Sequence, residues 1–143
     1  MRLTARELLT RLIEILNDLD AELASLPPAE LPSSRQTAAL ERWLQLTIQI
    51  SIDLGDRLLA AKGVDEPPRS RDIFSALHSL HVIPISTARS MESLADLRNL
   101  LVHEYGEFRP ATTPGHARQA LPILREYAAA VGQALDSTGG SMT

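Results

Sequence analysis

The 143-residue chain contains no cysteine, and aromatic residues make up only 3% of it. The lack of cysteine excludes a disulfide framework and any metal site built on thiolates. It also suits a reducing compartment, and we expect the protein to be cytoplasmic. Because 44% of the residues are hydrophobic but few are aromatic, we predict a core of aliphatic side chains on packed helices rather than a β-sheet.

Two further absences narrow the range of partners. Positive charge is not in excess, since 18 Asp and Glu residues outnumber 14 Lys and Arg residues and the net charge is −4. Such a chain has no general attraction for nucleic acid, so we expect no DNA binding and only local contacts with RNA. No apolar run is long enough to cross a membrane, and Glu7 and Glu14 make the N-terminal segment an amphipathic helix rather than a signal peptide. We expect no membrane contact.

Apolar residues recur at helical spacing through most of the chain, between loops that contain proline or glycine. Thr4 with Glu7, and Ser33 with Gln36, have the spacing of capping boxes that open the first two helices. The pattern predicts four substantial helices and one short helix. The first helix is predicted from about Leu3 to Ser25, and the second from Ser33 to the residue before Gly63. The short helix is capped by Ser70 and stops before Pro84, and the next runs from Ser86 to Gly106. The last is capped by Thr113, has Pro114 as its first residue and ends at about Leu135.

This order of elements predicts an all-α protein, namely an up-and-down four-helix bundle with an additional short helix. The length suits one domain with its own core, which we place over residues 1–135. The last residues, 136–143, offer little to bury and are predicted to form a disordered tail.

The segment DLRNLLVHEYGEF, residues 96–108, combines a leucine repeat with Arg98, Asn99, His103 and Tyr105. At 100° per residue, Arg98 lies on the flank of the leucine stripe, and Tyr105, seven residues later, returns to nearly the same direction if the helix persists so far. Asn99 and His103, four residues apart, share a different side of the helix. The leucines predicted to face the core are Leu94, Leu97, Leu100 and Leu101.

These polar residues also have simpler interpretations. His103 on a side away from the core is typical of a solvated histidine, and Arg98 can lay its stem along the bundle edge with its charge in water. Tyr105 can be an aromatic at the edge of the bundle whose hydroxyl contacts water. The spacing alone leaves both interpretations open.

Two other groups of candidate residues lie outside this segment. Asp53 and Asp56 can hold Mg²⁺ or line an RNA cleft, but an ion pair of either residue with Arg57 is the interpretation that we prefer. His78 and His81 have an H-X-X-H spacing without the carboxylate motif of a metalloprotease, so we predict no metal site.

The motif in residues 96–108 begins with Arg98 and Asn99 and continues with His103, Glu104 and Tyr105. It resembles the Arg-X4-His-X-Tyr signature of HepT-type toxins of the HEPN superfamily. A polar residue commonly follows the arginine in that family, as Asn99 does here. The segment RWLQLTIQISIDLGDRLLAAKGVDEPPRSRDIFSAL also resembles the family's second helix, proline-containing loop and short third helix. The resemblance covers roughly residues 5–135.

The resemblance implies an endoribonuclease toxin that needs no metal or other cofactor and acts as a homodimer, with the motif helices of two subunits facing each other. His103 would be the general acid and base, Arg98 would hold the phosphate, and Asn99 would orient His103 or a phosphate oxygen. Cleavage would pass through a 2′,3′-cyclic phosphate, because the RNA 2′-hydroxyl can attack its own phosphodiester. Arg109 and Arg118 are plausible further RNA contacts. The alternative is a non-catalytic nucleotide- or RNA-binding helical module.

The resemblance also implies a regulatory role for Tyr105. In the toxin family, the tyrosine of this motif is the residue to which an antitoxin, a minimal nucleotidyltransferase of the MntA type, attaches AMP. The present chain has no Gly-Ser motif followed by paired aspartates, so it is not that transferase. The expected partner is therefore a separate nucleotidyltransferase antitoxin.

Overall fold

The computed structural model describes residues 2–27, 30–103 and 109–137, with His103 described by its backbone alone. The described chain is helical and contains no strand, which confirms the all-α class and the bundle with an additional short helix. None of the helices in these ranges combines the length and apolarity needed to cross a membrane. The five helices are α1 (Ala5–Ala24), α2 (Ser34–Ala61), α3 (Asp72–Ser79), α4 (Ile85–His103) and α5 (Thr113–Ser137).

Both predicted capping boxes are present. Thr4 Oγ1 accepts a hydrogen bond from the Glu7 amide at 3.1 Å, and the Thr4 amide donates to Glu7 Oε1 at 3.2 Å. Ser33 Oγ accepts from the Gln36 amide at 3.1 Å, and the Ser33 amide donates to Gln36 Oε1 at 2.9 Å. These reciprocal bonds satisfy amides that a helix start leaves without partners, so each helix begins one residue after its cap.

The predicted caps of the two later helices are wrong. Helix α3 begins at Asp72, and Ser70 contributes its backbone carbonyl, which accepts from the Ile73 amide at 3.2 Å. Thr113 is itself the first residue of α5, and its Oγ1 donates to Glu41 Oε1 at 3.1 Å instead of accepting from a helix amide. A tertiary partner on α2 thus replaces the local cap that the sequence indicates.

The ends of α4 and α5 differ slightly from the predicted limits. Helix α4 begins at Ile85, one residue before Ser86. Helix α5 continues to Ser137, and its last turn is tied to α1 because Arg6 Nη1 contacts Asp136 Oδ1 at 3.2 Å. Gly106, the predicted stop of α4, lies outside the described residues, as does the part of the predicted disordered tail from 138 to 143.

The core is built around α2, which packs against each of the other four helices. It consists mainly of aliphatic side chains, as predicted from the scarcity of aromatics. Fully buried members include Leu12, Leu16, Leu44, Ile48, Leu54, Leu58, Leu124 and Val131.

Two buried aromatic residues join α2, α3 and α5. The Tyr127 hydroxyl donates to the Ser51 carbonyl at 2.9 Å, and its ring meets Phe74 edge to face with 5.5 Å between centroids. Burial raises the pKa of the Tyr127 phenol, so this hydroxyl stays protonated. Gly55 permits the close approach, because a Cβ at this position would lie 2.6 Å from Ile73 Cγ2.

Helix α4 turns one side to this core, although the predicted stripe is only partly right. Met91, Leu94 and Leu101 are buried, and Leu97 is half-buried. Leu100, in contrast, is 50% exposed, so its predicted core position is wrong. The reason is angular: nine residues after Met91, a side chain on an α-helix points about 180° away from it.

Candidate active site

The site is carried by the last two turns of α4, where Arg98 and Asn99 lie side by side. Arg98 is half-buried and Asn99 is exposed. Arg98 Nη1 donates to Asn99 Oδ1 at 3.5 Å, a long and weak contact that leaves both groups available to a ligand. The structure therefore brings together two of the residues predicted for the site.

We call the exposed side of α4 formed by Asp96, Asn99 and Leu100 the outer face of α4. The helix backbone continues to His103, four residues after Asn99, but the His103 side chain and the whole of Tyr105 lie outside the description. The predicted pairing of Asn99 with His103, and that of Arg98 with Tyr105, thus stay predictions.

Arg71, the residue before α3, contacts two carboxylates of α4 that precede Arg98. Arg71 Nη2 contacts Glu92 Oε2 at 2.9 Å, and Arg71 Nη1 contacts Asp96 Oδ2 at 3.2 Å. The hydrogen bond to Glu92, followed by the charge of Asp96, raises the pKa of the Arg71 guanidinium. The sequence interpretation missed this group. Its signal was the spacing of Glu92 and Asp96, since two like charges four residues apart on a helix repel and favour a counter-charge from elsewhere.

Arg109 has a different role from the RNA contact suggested by its sequence position. Its Nη1 lies 3.1 Å from Glu41 Oε1, and the two side chains are only 13% and 15% exposed. The same Glu41 oxygen accepts from Thr113 Oγ1. Glu41 therefore ties the start of α5 to α2, whereas Arg118 lies exposed on α5.

The preferred ion-pair interpretation of Asp53 and Asp56 is also wrong. Asp53 Oδ1 accepts from Gln49 Nε2 at 2.9 Å, and the Arg57 guanidinium donates to the Leu3 carbonyl. Within the described ranges, no ion pair joins Arg57 to either aspartate. The two carboxylates line a cavity of about 220 Å³ next to the start of α1, and neither Arg98 nor Asn99 is among the residues that line it.

The two histidines of the H-X-X-H spacing lie in and after α3. His78 Nδ1 lies 3.0 Å from the Ile83 carbonyl, so this nitrogen carries the proton and donates. His81 has a φ of 62°, in the left-handed region, in the turn that leads to α4. Both border a cavity of about 630 Å³ against the end of α5, and in the described part of the chain no three His, Asp or Glu side chains are grouped to hold a metal.

Comparison with known proteins finds a matching family model and a similar curated protein. The family model described as "Ribonuclease HepT-like" matches residues 6–131. A curated relative, the tRNA nuclease HepT of Aphanizomenon flos-aquae, is 31% identical over 80 residues, which are 56% of this chain and 54% of the relative. The matched stretch thus spans about half the length of that relative.

A solved structure supports the fold alone. The cytosolic protein of unknown function YutE from Bacillus subtilis superposes with a TM-score of 0.73 over 92% of each chain, at 18% sequence identity. The family match covers well over half of the present chain and includes α4 with its Arg98, Asn99 and His103 positions. The chain therefore belongs to the HepT-like ribonuclease family.

Proposed function

We propose that this protein is a metal-independent endoribonuclease, the toxin of a toxin–antitoxin pair that acts in the cytoplasm. The observation that carries the proposal is the placement of Arg98 beside the exposed Asn99 at the end of α4, shortly before His103, in a chain of the HepT-like ribonuclease family. The relative from Aphanizomenon flos-aquae is named a tRNA nuclease, which supports structured RNA as the substrate class.

The proposed reaction uses three side chains of α4. An imidazole exchanges protons near neutral pH, so His103 can remove the proton from an RNA 2′-hydroxyl as its oxygen attacks the adjacent phosphorus. Arg98 then stabilises the added negative charge of the five-coordinate phosphorane, and Asn99 orients His103 or a phosphate oxygen. The bond from phosphorus to the 5′-oxygen breaks, and the imidazolium returns its proton to that oxygen. The products are a 2′,3′-cyclic phosphate and a 5′-hydroxyl.

The direct test is cleavage of tRNA and of a short single-stranded RNA by the wild-type protein in the presence of excess EDTA. We expect cleavage at an unchanged rate, with 2′,3′-cyclic phosphate ends, because Arg98 supplies the charge that a divalent metal would otherwise provide. Binding is measured in parallel. RNA that binds but stays intact would support the non-catalytic binding module instead, and complete loss of cleavage in EDTA would contradict the metal-independent chemistry.

The proposal includes a homodimer in which the outer faces of α4 meet. Asn99 is exposed and Leu100, beside it, exposes half of its apolar side chain, so a second subunit would cover both and surround the site. We expect light scattering at micromolar concentration to give twice the mass of the 15.6 kDa chain. Leu100→Asp should shift the protein to a monomer and lower the cleavage rate.

Ile13→Asp provides the matched control for this experiment. Ile13 is 45% exposed on α1, a helix that in the described structure makes no contact with α4. This variant should therefore stay dimeric and active. A wild-type monomer with full ribonuclease activity would contradict the dimer.

The antitoxin that we propose is an MntA-like nucleotidyltransferase that attaches AMP to Tyr105. In this reaction the Tyr105 oxygen forms a bond to the α-phosphorus of ATP, and pyrophosphate is released. A phosphate in this position competes with RNA for Arg98 and repels the RNA backbone. Modification would thus silence the toxin.

A further inference from the structure

Arg71 contacts two carboxylates of α4 beside the motif. Its two terminal nitrogens each contact a different acid, Glu92 at 2.9 Å and Asp96 at 3.2 Å. The Arg71, Glu92 and Asp96 side chains are 37%, 23% and 53% exposed, so the group lies at the edge of the bundle and not in the core. Exposed ion pairs contribute little to stability.

The tether between α3 and α4 does not depend on this arginine. Ile73, Phe74 and Leu77 of α3 are fully or almost fully buried in the same core cluster as Met91 and Leu94 of α4. Apolar packing therefore already holds the two helices together. The charges of Arg71, Glu92 and Asp96 are therefore not needed to hold α3 against α4.

The position of Asp96 relates these charges to the motif. It precedes Asn99 by three residues and His103 by seven, so helical geometry puts it on the outer face of α4, about 10 Å along the axis from position 103. This distance is close to the Debye length at 0.1 M salt. A bare carboxylate at this distance would repel the phosphates of any RNA bound at the motif, and Glu92, one turn earlier, would add to the repulsion.

We propose that Arg71 is a determinant of RNA affinity: it is a built-in counter-charge that contacts Glu92 and Asp96 and cancels one of their two negative charges, so that less repulsion opposes the binding of RNA at Arg98. Arg71 does not touch the reacting phosphate and acts through the two carboxylates. The inference rests on the proposed ribonuclease function and names the residues that set the charge of its RNA-binding surface.

The test compares Arg71→Met with the triple variant Arg71→Met, Glu92→Gln and Asp96→Asn. Arg71→Met removes the positive charge that offsets part of the charge of Glu92 and Asp96 and makes the group more negative by one charge, so we expect KM for a short RNA to rise about three- to tenfold at low salt with little change in kcat. The difference in KM between Arg71→Met and wild type should shrink as salt is raised, because screening is strong at salt concentrations on the order of 0.5 M. The triple variant carries no charge at these three positions and is therefore less negative there than the wild type, so its KM should return to the wild-type value or fall below it.

Arg125→Met is the matched control. Arg125 pairs with Asp20 of α1 at 3.0 Å, and α1 makes no contact with α4 in the described ranges, so removal of Arg125 changes the net charge by the same amount on the side of α5 that is turned to α1. Its KM should stay at the wild-type value. If Arg71→Met does not fold, the variant Glu92→Gln with Asp96→Asn keeps Arg71 and frees its positive charge, and its KM should fall below that of wild type.

The outcomes separate this inference from the function on which it rests. An unchanged KM in folded Arg71→Met, an equal rise in Arg125→Met, or no rescue by the two amides would overturn the counter-charge role while leaving the ribonuclease intact. For the double variant, a KM equal to or above that of wild type would do the same. A wild-type protein that neither binds nor cleaves RNA would overturn both.

Discussion

Replacing His103 with alanine is expected to lower the single-turnover rate of RNA cleavage by about 10²- to 10⁴-fold, the usual contribution of a positioned acid and base. Arg98→Ala should cause a loss of similar size, because the phosphorane then lacks its positive partner. The two variants should differ in binding: His103→Ala keeps its affinity for RNA, whereas Arg98→Ala loses a phosphate contact. Cleavage and RNA binding are measured on the same preparations.

Both variants are expected to fold, since the apolar contacts that the structure describes for α4 come from other residues. Met91, Leu94 and Leu101 are buried, whereas Arg98 is half-buried and its guanidinium contacts Asn99 at the helix surface. Circular dichroism and thermal unfolding should therefore resemble those of the wild type. This expectation allows a loss of activity to be assigned to chemistry.

His81→Gly is a suitable control for the removal of an imidazole. His81 is exposed in the turn before α4 with a φ of 62°, a conformation that glycine adopts without strain. The variant should retain full activity and stability. Unchanged cleavage by His103→Ala would show that another group handles the protons, and the assignment of His103 would then be withdrawn.

The parts of the fold that could be predicted from sequence are those decided within a few residues of chain. A capping box needs only two side chains three positions apart, and both the Thr4 and the Ser33 boxes form as predicted. Ser70 and Thr113 had equally suitable side chains for capping. Thr113 instead donates to Glu41, 72 residues away, a partner that no local pattern contains.

The leucine stripe shows a second limit of pattern analysis. A run such as Leu100-Leu101 offers two directions 100° apart, and only packing against a neighbouring helix decides which is buried. The structure buries Leu101 and leaves Leu100 half exposed next to Asn99. What sequence analysis took as core is thus the apolar element of the outer face of α4.

The contacts of the candidate site also differ in whether they can be predicted from the sequence. Arg98 and Asn99 are neighbours on one helix, so their proximity follows from the sequence alone. The partners of Arg57, Arg71 and Arg109 do not, because each guanidinium reaches a group on another helix or beyond a helix end. A long flexible side chain can meet many acids, and only the packed bundle selects one.

Incubation with a cognate MntA-like nucleotidyltransferase and ATP is expected to add AMP to Tyr105 and to lower the rate of RNA cleavage about as far as Arg98→Ala does. The chain has two tyrosines, so a tyrosine adduct can be assigned by comparing only two positions. Tyr127 is fully buried and its hydroxyl is bound to the Ser51 carbonyl, so a folded protein does not present it to another enzyme. Intact-mass measurement reports the adduct, and cleavage of RNA before and after incubation reports its effect.

The loss of cleavage should equal that of Arg98→Ala, because Tyr105, seven residues after Arg98, is predicted by helical spacing to share nearly its direction if the helix persists so far. The added phosphate then pairs with the guanidinium and withdraws it from RNA. Tyr105→Phe should cleave RNA normally and resist silencing, while Tyr127→Phe should still accept AMP. An adduct that persists in Tyr105→Phe would place the modification on another residue, and an adduct on wild type without loss of cleavage would separate Tyr105 from the control of Arg98.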